Sequence, residues 1–187
     1  KGSTGDTYTI PEPEAKANYT FTGWSRNSGD CGVSGDNITF GQQDSTITAQ
    51  WKLNTHSLYM SNIAGYGTAD LYINGNLYSA GITSINMTLP HGTNYTVAVR
   101  GNGTYVISGT STFTGTLTSD VSISPNCNLN QVPITVQEYI TDSNGNNASL
   151  YKTWYTSNYT VGSTQTVYSQ GISGYQTPGA RAVTVYA

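Results

Sequence analysis

The sequence predicts a mainly β protein built from three small modules in tandem. Short runs that alternate between apolar and polar residues recur along its 187 residues, and Gly, Asn, Asp and Pro turn signals separate them. Alternation with a period of two is typical of strands with one buried face. Changes of sequence texture after Lys52 and after Asn130 predict modules of residues 1–52, 53–130 and 131–187.

The first module contains two segments in which aromatic or apolar residues alternate with polar ones. Tyr19 and Phe21 alternate with threonines, so both rings lie on one face of a strand, and Trp24 turns inward at the strand end. Residues 47–51 alternate in the same way. We expect the tryptophans of both segments to pack in a core, with the polar loop of residues 27–36 outside it.

This module resembles the internalin-type B-repeat, also called the Listeria-Bacteroides repeat. The likeness rests on Ile10-Pro11, on the block YTFTGWS that begins at Tyr19, and on the closing TITAQWK that ends at Lys52. The resemblance implies a β-grasp-like module of a long extracellular bacterial protein, without catalytic residues. A complete repeat opens with a further strand, which is missing before the Gly-rich residues 1–5. We therefore expect an open N-terminal sheet edge that invites self-association.

The middle module has the pattern of a small antiparallel β-sandwich. Asn74-Gly75 predicts a tight hairpin, because both residues tolerate the positive φ of a type I′ turn. Predicted strands cover residues 57–63, 69–73, 85–89, 95–99, 105–108 and 121–124. The stretch LYINGNLYSAG and the Pro90, Gly92, Tyr95 and Val97 positions resemble PEGA-like surface sandwiches. That resemblance implies an accessory or spacer module.

The third module begins with a predicted strand at residues 132–140, followed by a tight turn at residues 142–146. Its order of VPITVQEYITDSNGN, then Val161-Gly162, then Ile172-Ser-Gly-Tyr175 resembles the mucin-binding-protein repeat. The resemblance implies a second β-grasp-like module. The acidic first hairpin of that family is replaced here by Thr-Asp-Ser-Asn, so the ligand preference of the family does not carry over.

Composition indicates an extracellular location, associated with the cell wall or cell surface. Charged residues make up 9% of the chain, well below the roughly 25% typical of soluble domains. The net charge is −3 and the cations are scattered, which argues against nucleic-acid binding. No apolar run reaches the roughly 20 residues that cross a bilayer, so we expect no membrane insertion in this fragment.

No catalytic residue, metal site or cofactor is predicted, and we expect no enzyme. Asp142, Asn144 and Asn146 alternate like calcium ligands, but Gly145 is misplaced for such a loop and a hairpin turn is favoured. His56 and His91 are expected to lie alone, without the partners of a zinc site. Cys31 and Cys127 are either free thiols in loops or a clamp between modules.

Tyrosine is the residue most suited to ligand binding, because it combines an apolar ring with a hydroxyl group. The chain has 15 tyrosines, and their densest cluster also contains a tryptophan. The predicted ligand-binding residues are Tyr151, Trp154, Tyr155 and Tyr159. On a strand, Tyr151 and Tyr155 share one face and Trp154 occupies the other. Otherwise these rings pack the third module.

An intramolecular Lys-Asn isopeptide bond needs a buried lysine beside an asparagine and a carboxylic acid. Among the lysines inside modules, Lys152 with Glu138 is the conceivable pair.

The features together predict an extracellular stalk or adhesin segment of a bacterial multidomain surface protein. Its expected partners are host or polymer glycans or surface proteins. One alternative is a self-assembling subunit of a surface fibre, in which a strand of a neighbour completes the first module. Another is a noncatalytic accessory region of a secreted enzyme.

Overall fold

The computed structural model describes residues 2–187. Within them the chain forms eighteen strands and no helix, so the mainly β prediction is confirmed. Accordingly, this part of the chain contains no helix that is long and apolar enough to cross a membrane. The strands are β1 (Thr7–Thr9), β2 (Tyr19–Ser28), β3 (Gly32–Ser34), β4 (Asn37–Thr39), β5 (Thr46–Leu53), β6 (Thr55–Met60), β7 (Gly67–Ile73), β8 (Asn76–Ile82), β9 (Ile85–Pro90), β10 (Asn94–Gly101), β11 (Tyr105–Ser108), β12 (Thr112–Thr116), β13 (Val121–Ile123), β14 (Asn126–Leu129), β15 (Gln131–Ile140), β16 (Ser149–Thr160), β17 (Thr164–Val167) and β18 (Arg181–Thr184).

The strands form several small sheets. Three-stranded sheets have the orders β1-β4-β3 and β13-β6-β9, and one four-stranded sheet has the order β12-β10-β7-β8. Two-stranded sheets are formed by β2 with β5, β11 with β14, β15 with β16, and β17 with β18. Contacts divide the chain into two compact units. Unit 1 comprises the residues up to Tyr59 together with Asn86–Asn94 and Thr116–Ser122, and unit 2 comprises the remainder. The finer division into three modules stays a prediction.

Three aromatic residues of unit 1 pack on one face of the β2–β5 pair. Phe21 pairs with Trp51, and its ring makes edge-on contacts with both tryptophans at centroid distances of 5.4 Å to Trp24 and 5.5 Å to Trp51. The register shifts between Phe21 and Gly23, where φ is 128°. In a regular strand, residues 21 and 24 would point to opposite faces. The bulge inserts one extra residue, so Trp24 lies on the same face as Phe21. The predicted packing of both tryptophans therefore agrees with the structure, but β2 does not end at Trp24.

The segment of residues 27–36 is not a loop outside the core, as the sequence predicted. It contains the end of β2 and all of β3, and Cys31 is buried. The reason is a set of local bonds that the sequence pattern does not reveal. Arg26 donates to the Cys31 carbonyl oxygen, and the backbone N–H groups of Asp30 and Cys31 donate to the Ser45 hydroxyl. Both cysteines are free, and Cys127 lies in β14 and not in a loop.

The core of unit 2 lies on β7 and β10. Val97 pairs with Leu71 and Val99 with Ala69, and all four side chains are buried. Each pair of directly opposite residues lies on one face of the sheet, so strict alternation produces a continuous apolar surface. The predicted hairpin at Asn74-Gly75 joins β7 to β8, with φ of 49° and 80° at its two turn residues.

Strands β15 and β16 form a long hairpin that positions the candidate site. Residues 132, 134, 136, 138 and 140 of β15 point to the less exposed face, and the residues between them are exposed. Register shifts occur between Pro133 and Thr135 and between Glu138 and Tyr139. The second shift leaves Tyr151 as the extra residue of a bulge on β16. Residues 141–148 connect the two strands, which agrees with the predicted turn.

Candidate ligand-binding cleft

A cleft of about 1060 Å³ lies in unit 2 beside β15. Its walls are residues 134–139 of β15, residues 141–145 of the following turn, and residues of the segment 167–183. This volume is slightly above the range that ligand pockets usually have. A smaller depression of about 630 Å³ is lined by Gly2, Asp6, Thr7, Tyr8 and Phe40. We favour the larger cleft because a buried carboxylate and several tyrosines line it.

Glu138 is the buried carboxylate of the cleft, and the alternation of β15 explains its position. It occupies the same strand face as Val132, Ile134 and Val136, and 9% of its surface is exposed. A carboxylate is seldom buried to this extent unless partners satisfy it. The apolar alternation of residues 132–140 contained this signal, since one acidic residue stands in an otherwise apolar series. Sequence reasoning did not use it to predict a binding site.

One Glu138 oxygen is satisfied and the other is not. Oε1 accepts hydrogen bonds from the Ser169 hydroxyl at 2.8 Å and from the Gln170 backbone N–H at 2.7 Å. Oε2 is buried and has no hydrogen-bond partner. The hydrogen bond from Ser169, then that from Gln170, and more weakly the charge of Lys152 lower the Glu138 pKa against the opposing effect of burial. The ionised carboxylate therefore has one acceptor oxygen in need of a donor.

Asp142 is the second carboxylate of the cleft, but its oxygens are occupied. Oδ1 accepts from the backbone N–H groups of Asn144 at 3.0 Å and Asn146 at 2.9 Å, and Oδ2 accepts from the Asn147 side chain at 2.9 Å. The hydrogen bond from Asn146 is the largest cause of a lowered Asp142 pKa. This carboxylate thus fixes the turn at the cleft wall. Asp142, Asn144 and Asn146 alternate like calcium ligands, but in the structure the Asp142 carboxylate accepts hydrogen bonds from the backbone N–H groups of the two asparagines.

Three exposed tyrosines and one arginine complete the lining. Tyr139, Tyr168 and Tyr175 are each at least half exposed, at 52%, 67% and 50%. Arg181, at the start of β18, is also exposed and lines the cleft. Tyrosine rings offer flat apolar faces with a polar tip, and guanidinium groups offer several donors. The cleft can therefore stack on a ring and donate from Arg181.

The predicted ligand-binding residues lie on β16, and none of them lines the cleft. Tyr151 and Tyr155 are 55% and 68% exposed, whereas Trp154 and Tyr159 are half-buried and pair with Val136 and Val132. The sequence predicted Tyr151 and Tyr155 on one face of the strand and Trp154 on the other, which agrees with this arrangement. The role of all four residues in binding stays a prediction.

An exposed apolar surface surrounds these two tyrosines. We call it the tyrosine face, and it consists of Tyr139, Leu150, Tyr151 and Tyr155, all more than half exposed. Tyr139 pairs with Leu150 and also lines the cleft, so the two surfaces adjoin at Tyr139. A ligand that occupies the cleft and extends beyond Tyr139 reaches the tyrosine face.

The expectation that His56 and His91 lie alone is wrong. His56 Nε2 is 3.0 Å from His91 Nδ1, and His56 Nδ1 is 4.0 Å from an Asp120 carboxylate oxygen. The reason is that His91 follows β9, which pairs with β6 in one sheet. Within residues 2–187, no group of three or more His, Cys, Asp or Glu side chains is arranged to hold a metal ion.

Comparison with known proteins provides no relative: no protein-family model, curated protein or solved structure matches the chain significantly. The arguments for function therefore rest on the residues and on the geometry described above.

Proposed function

We propose that this chain is a segment of an extracellular bacterial surface protein, a stalk or adhesin, and that it binds glycans in the cleft beside β15. The observation that carries the proposal is a cleft lined by three exposed tyrosines and the exposed Arg181. Sugar rings present apolar C–H faces for stacking and hydroxyl groups that can accept hydrogen bonds. The low content of charged residues, 9%, supports a surface location.

The cleft favours an uncharged, hydroxyl-rich glycan. Its ionised Glu138 and Asp142 carry two negative charges, and Arg181 carries one positive charge, so the lining has no excess of cations that would select an acidic sugar. Hydroxyl groups can accept from Arg181 without the desolvation cost of burying a further charge. The tyrosine face offers additional stacking for a longer chain.

A glycan array followed by calorimetric titration tests the proposal. We expect binding of neutral oligosaccharides, and we expect Tyr175→Ala and Tyr168→Ala each to weaken it about fivefold, because stacking on an aromatic ring contributes on the order of 1 kcal/mol. Tyr78→Ala is the matched control, since Tyr78 is 64% exposed on β8 and does not line the cleft. Equal losses in all three variants, or the absence of glycan binding, would refute the cleft as the site.

Variants of the tyrosine face separate it from the cleft. If Tyr151→Ala and Tyr155→Ala reduce binding while Tyr168→Ala and Tyr175→Ala do not, the predicted cluster on β16 carries the activity. If all four reduce the affinity for long oligosaccharides, but only the cleft variants reduce it for short ones, one ligand spans both surfaces. The length dependence thus distinguishes the two sites.

A second candidate function is self-assembly through strand complementation, and the position of β1 favours it. In the order β1-β4-β3, β1 lies at the edge of its sheet. The hydrogen bonds from Phe40 N–H to the Asp6 carbonyl oxygen and from Ile10 N–H to the Asp36 carbonyl oxygen show that even-numbered residues bond β4. The N–H groups of Thr7 and Thr9 therefore point to the open edge and can pair with a strand of another copy.

Light scattering across a wide concentration range tests this candidate. We expect the chain to associate as its concentration rises if the edge is used, and Thr7→Pro to prevent association, because proline removes the outward N–H while the bonds to β4 remain. Thr39→Ala on the inner strand β4 is the control. A monomer at all concentrations would exclude the assembly function.

A further inference from the structure

The loop that connects β17 to β18 is long for a hairpin. Val167 and Arg181 form the last pair of this two-stranded sheet, so residues 168–180 make the connection, and they contain no strand. Most hairpin loops have about two to five residues, and loops longer than roughly twelve residues without secondary structure are often binding loops or lids. We call residues 168–180 the cleft loop, because Tyr168, Tyr175 and other members of it line the cleft.

Few hydrogen bonds attach the cleft loop to the rest of unit 2. Those that the described residues make start at Ser169 and Gln170. The Ser169 hydroxyl and the Gln170 backbone N–H both donate to Glu138 Oε1, at 2.8 Å and 2.7 Å. The Gln170 side chain also accepts a hydrogen bond from Lys152. Lys152 is exposed, so it does not have the burial that an isopeptide bond needs. Gln170 is exposed as well, so water competes for this contact and the attachment depends mainly on Glu138.

The remainder of the cleft loop is held by bonds within the loop itself. The Gly171 N–H donates to the Ser169 hydroxyl, and the Tyr175 N–H donates to the Ile172 carbonyl oxygen. Gly174 lies inside this second turn with a φ of 83°, a conformation that glycine adopts readily. Ile172 is half-buried, and the residues that follow it in the loop are exposed. These bonds shape the loop but do not attach it to β15.

Glu138 is suited to anchor a loop. β15 pairs with β16 on both sides of this residue, at Gln137 and Tyr139, so the hairpin fixes its backbone independently of the loop. The side chain is buried, which limits competition from water. Hydrogen bonds to an ionised acceptor are stronger than those between neutral groups. One carboxylate can therefore hold two consecutive residues of the cleft loop.

From this arrangement we propose that Glu138 is a positioning residue, which holds the cleft loop beside β15 and thereby fixes Tyr168 and Tyr175 in the wall of the cleft. Tyr168 directly precedes Ser169, one of the two residues that Glu138 holds. Tyr175 belongs to the turn that follows them. Glu138 itself needs no contact with a ligand in this role. The attachment of the loop is independent of glycan binding, whereas its effect on affinity rests on the proposed function.

Amide hydrogen exchange, followed by NMR in the absence of ligand, tests the attachment. The reporter is the Tyr175 N–H, whose hydrogen bond is to Ile172 and not to Glu138. The reference is the Val99 N–H, which donates to the Ser111 carbonyl oxygen elsewhere in unit 2. We expect Glu138→Leu to speed exchange at Tyr175 about tenfold and to leave Val99 unchanged, because loss of the anchor opens the loop and not the core.

Three further variants assign the contacts. Glu138→Gln keeps a side-chain oxygen that can accept both bonds, so we expect it to restore most of the protection at Tyr175. Ser169→Ala removes one donor, and we expect an intermediate loss of protection. Gln170→Ala removes the exposed contact with Lys152 but keeps the backbone N–H, so it is the matched control, with little change expected. Unchanged exchange at Tyr175 in both Glu138→Leu and Ser169→Ala would overturn the proposal.

Two more outcomes separate positioning from general stability. If exchange at Val99 rises as much as exchange at Tyr175 in Glu138→Leu, the carboxylate stabilises the whole unit and the positioning role is wrong. Calorimetric titration with a neutral oligosaccharide gives the second readout. We expect Glu138→Leu to bind about tenfold more weakly, because two tyrosines must then be ordered on binding. A loosened loop with unchanged affinity would also contradict the role. If wild type binds no glycan, the proposed function fails, and the exchange rates still decide whether Glu138 holds the loop.

Discussion

His56 Nε2 and His91 Nδ1 lie 3.0 Å apart, although they are 35 positions apart in the sequence. Each neutral imidazole has one N–H group, so one ring donates to the other. The ring centroids are 5.3 Å apart, which is the separation that a nearly linear N–H···N bond requires. The Asp120 carboxylate beside His56 is the charged group that faces this pair from another segment.

We expect the bond between the two rings to contribute to the stability of unit 1. Loss of either ring leaves the facing nitrogen of the other without its partner, so we expect His91→Ala to lower the free energy of unfolding by about 1 kcal/mol. Thermal unfolding of His56→Ala, His91→Ala and the double variant measures the coupling between the two residues. Strictly additive losses would show that the pair does not contribute.

The Glu138 carboxylate makes a separate contribution at lower pH. Its pKa is below the ordinary value of 4.5 because Ser169 and Gln170 donate to it. The unfolded chain therefore takes up this proton at a higher pH than the folded chain does. The stabilisation is fully present above the ordinary pKa and is lost as pH falls through the lowered one. We expect Glu138→Gln to be less stable at neutral pH and to lose less stability on acidification.

Urea unfolding across a series of pH values, from about 6 to about 3, measures this difference. Glu14→Gln is the matched control, because Glu14 is exposed. If Glu138→Gln and wild type lose stability in parallel, the hydrogen bonds to Glu138 do not contribute to folding.

The packing of β7 against its neighbours predicts a large cost for removing a core side chain. Leu71 is 2% exposed and pairs with the fully buried Val97, whereas Leu77, in the following strand, is 56% exposed. We expect Leu71→Ala to lower the free energy of unfolding by about 2–5 kcal/mol, and Leu77→Ala by less than about 1 kcal/mol. Denaturant unfolding of the two variants compares them directly. Similar costs would mean that β8 is more deeply packed than its exposure indicates.

Local alternation predicted most strands, because the period of two depends only on neighbouring residues. The segments around Leu71 and Val97 and the long β15 strand were located correctly for this reason. The bulge at Gly23 was not predicted. It changes which residues of β2 share a face, and it depends on pairing with β5. A regular pattern cannot show where an extra residue is inserted.

The candidate site was harder to predict, because its parts are distant in sequence. Glu138 meets Gln170 across a separation of 32 residues, and the segment that contains Gln170 forms no strand and has no periodic pattern. Only the buried position of Glu138 left a local signal in the alternation of β15. The Tyr151 and Tyr155 prediction identified an exposed aromatic surface, but composition alone could not show that a cleft lies beside it.

The hairpin at Asn74-Gly75 allows a matched test of backbone conformation. Gly75 has a φ of 80°, and an added Cβ would meet no other atom there, so strain and not crowding determines the cost of alanine. Gly65 also has open space around it, but its φ lies outside the left-handed region. We expect Gly75→Ala to destabilise the chain by about 1–2 kcal/mol, and Gly65→Ala to be neutral or slightly stabilising because it restricts the unfolded chain. Differential scanning calorimetry of both variants tests this, and equal changes in unfolding temperature would contradict a type I′ turn at this hairpin.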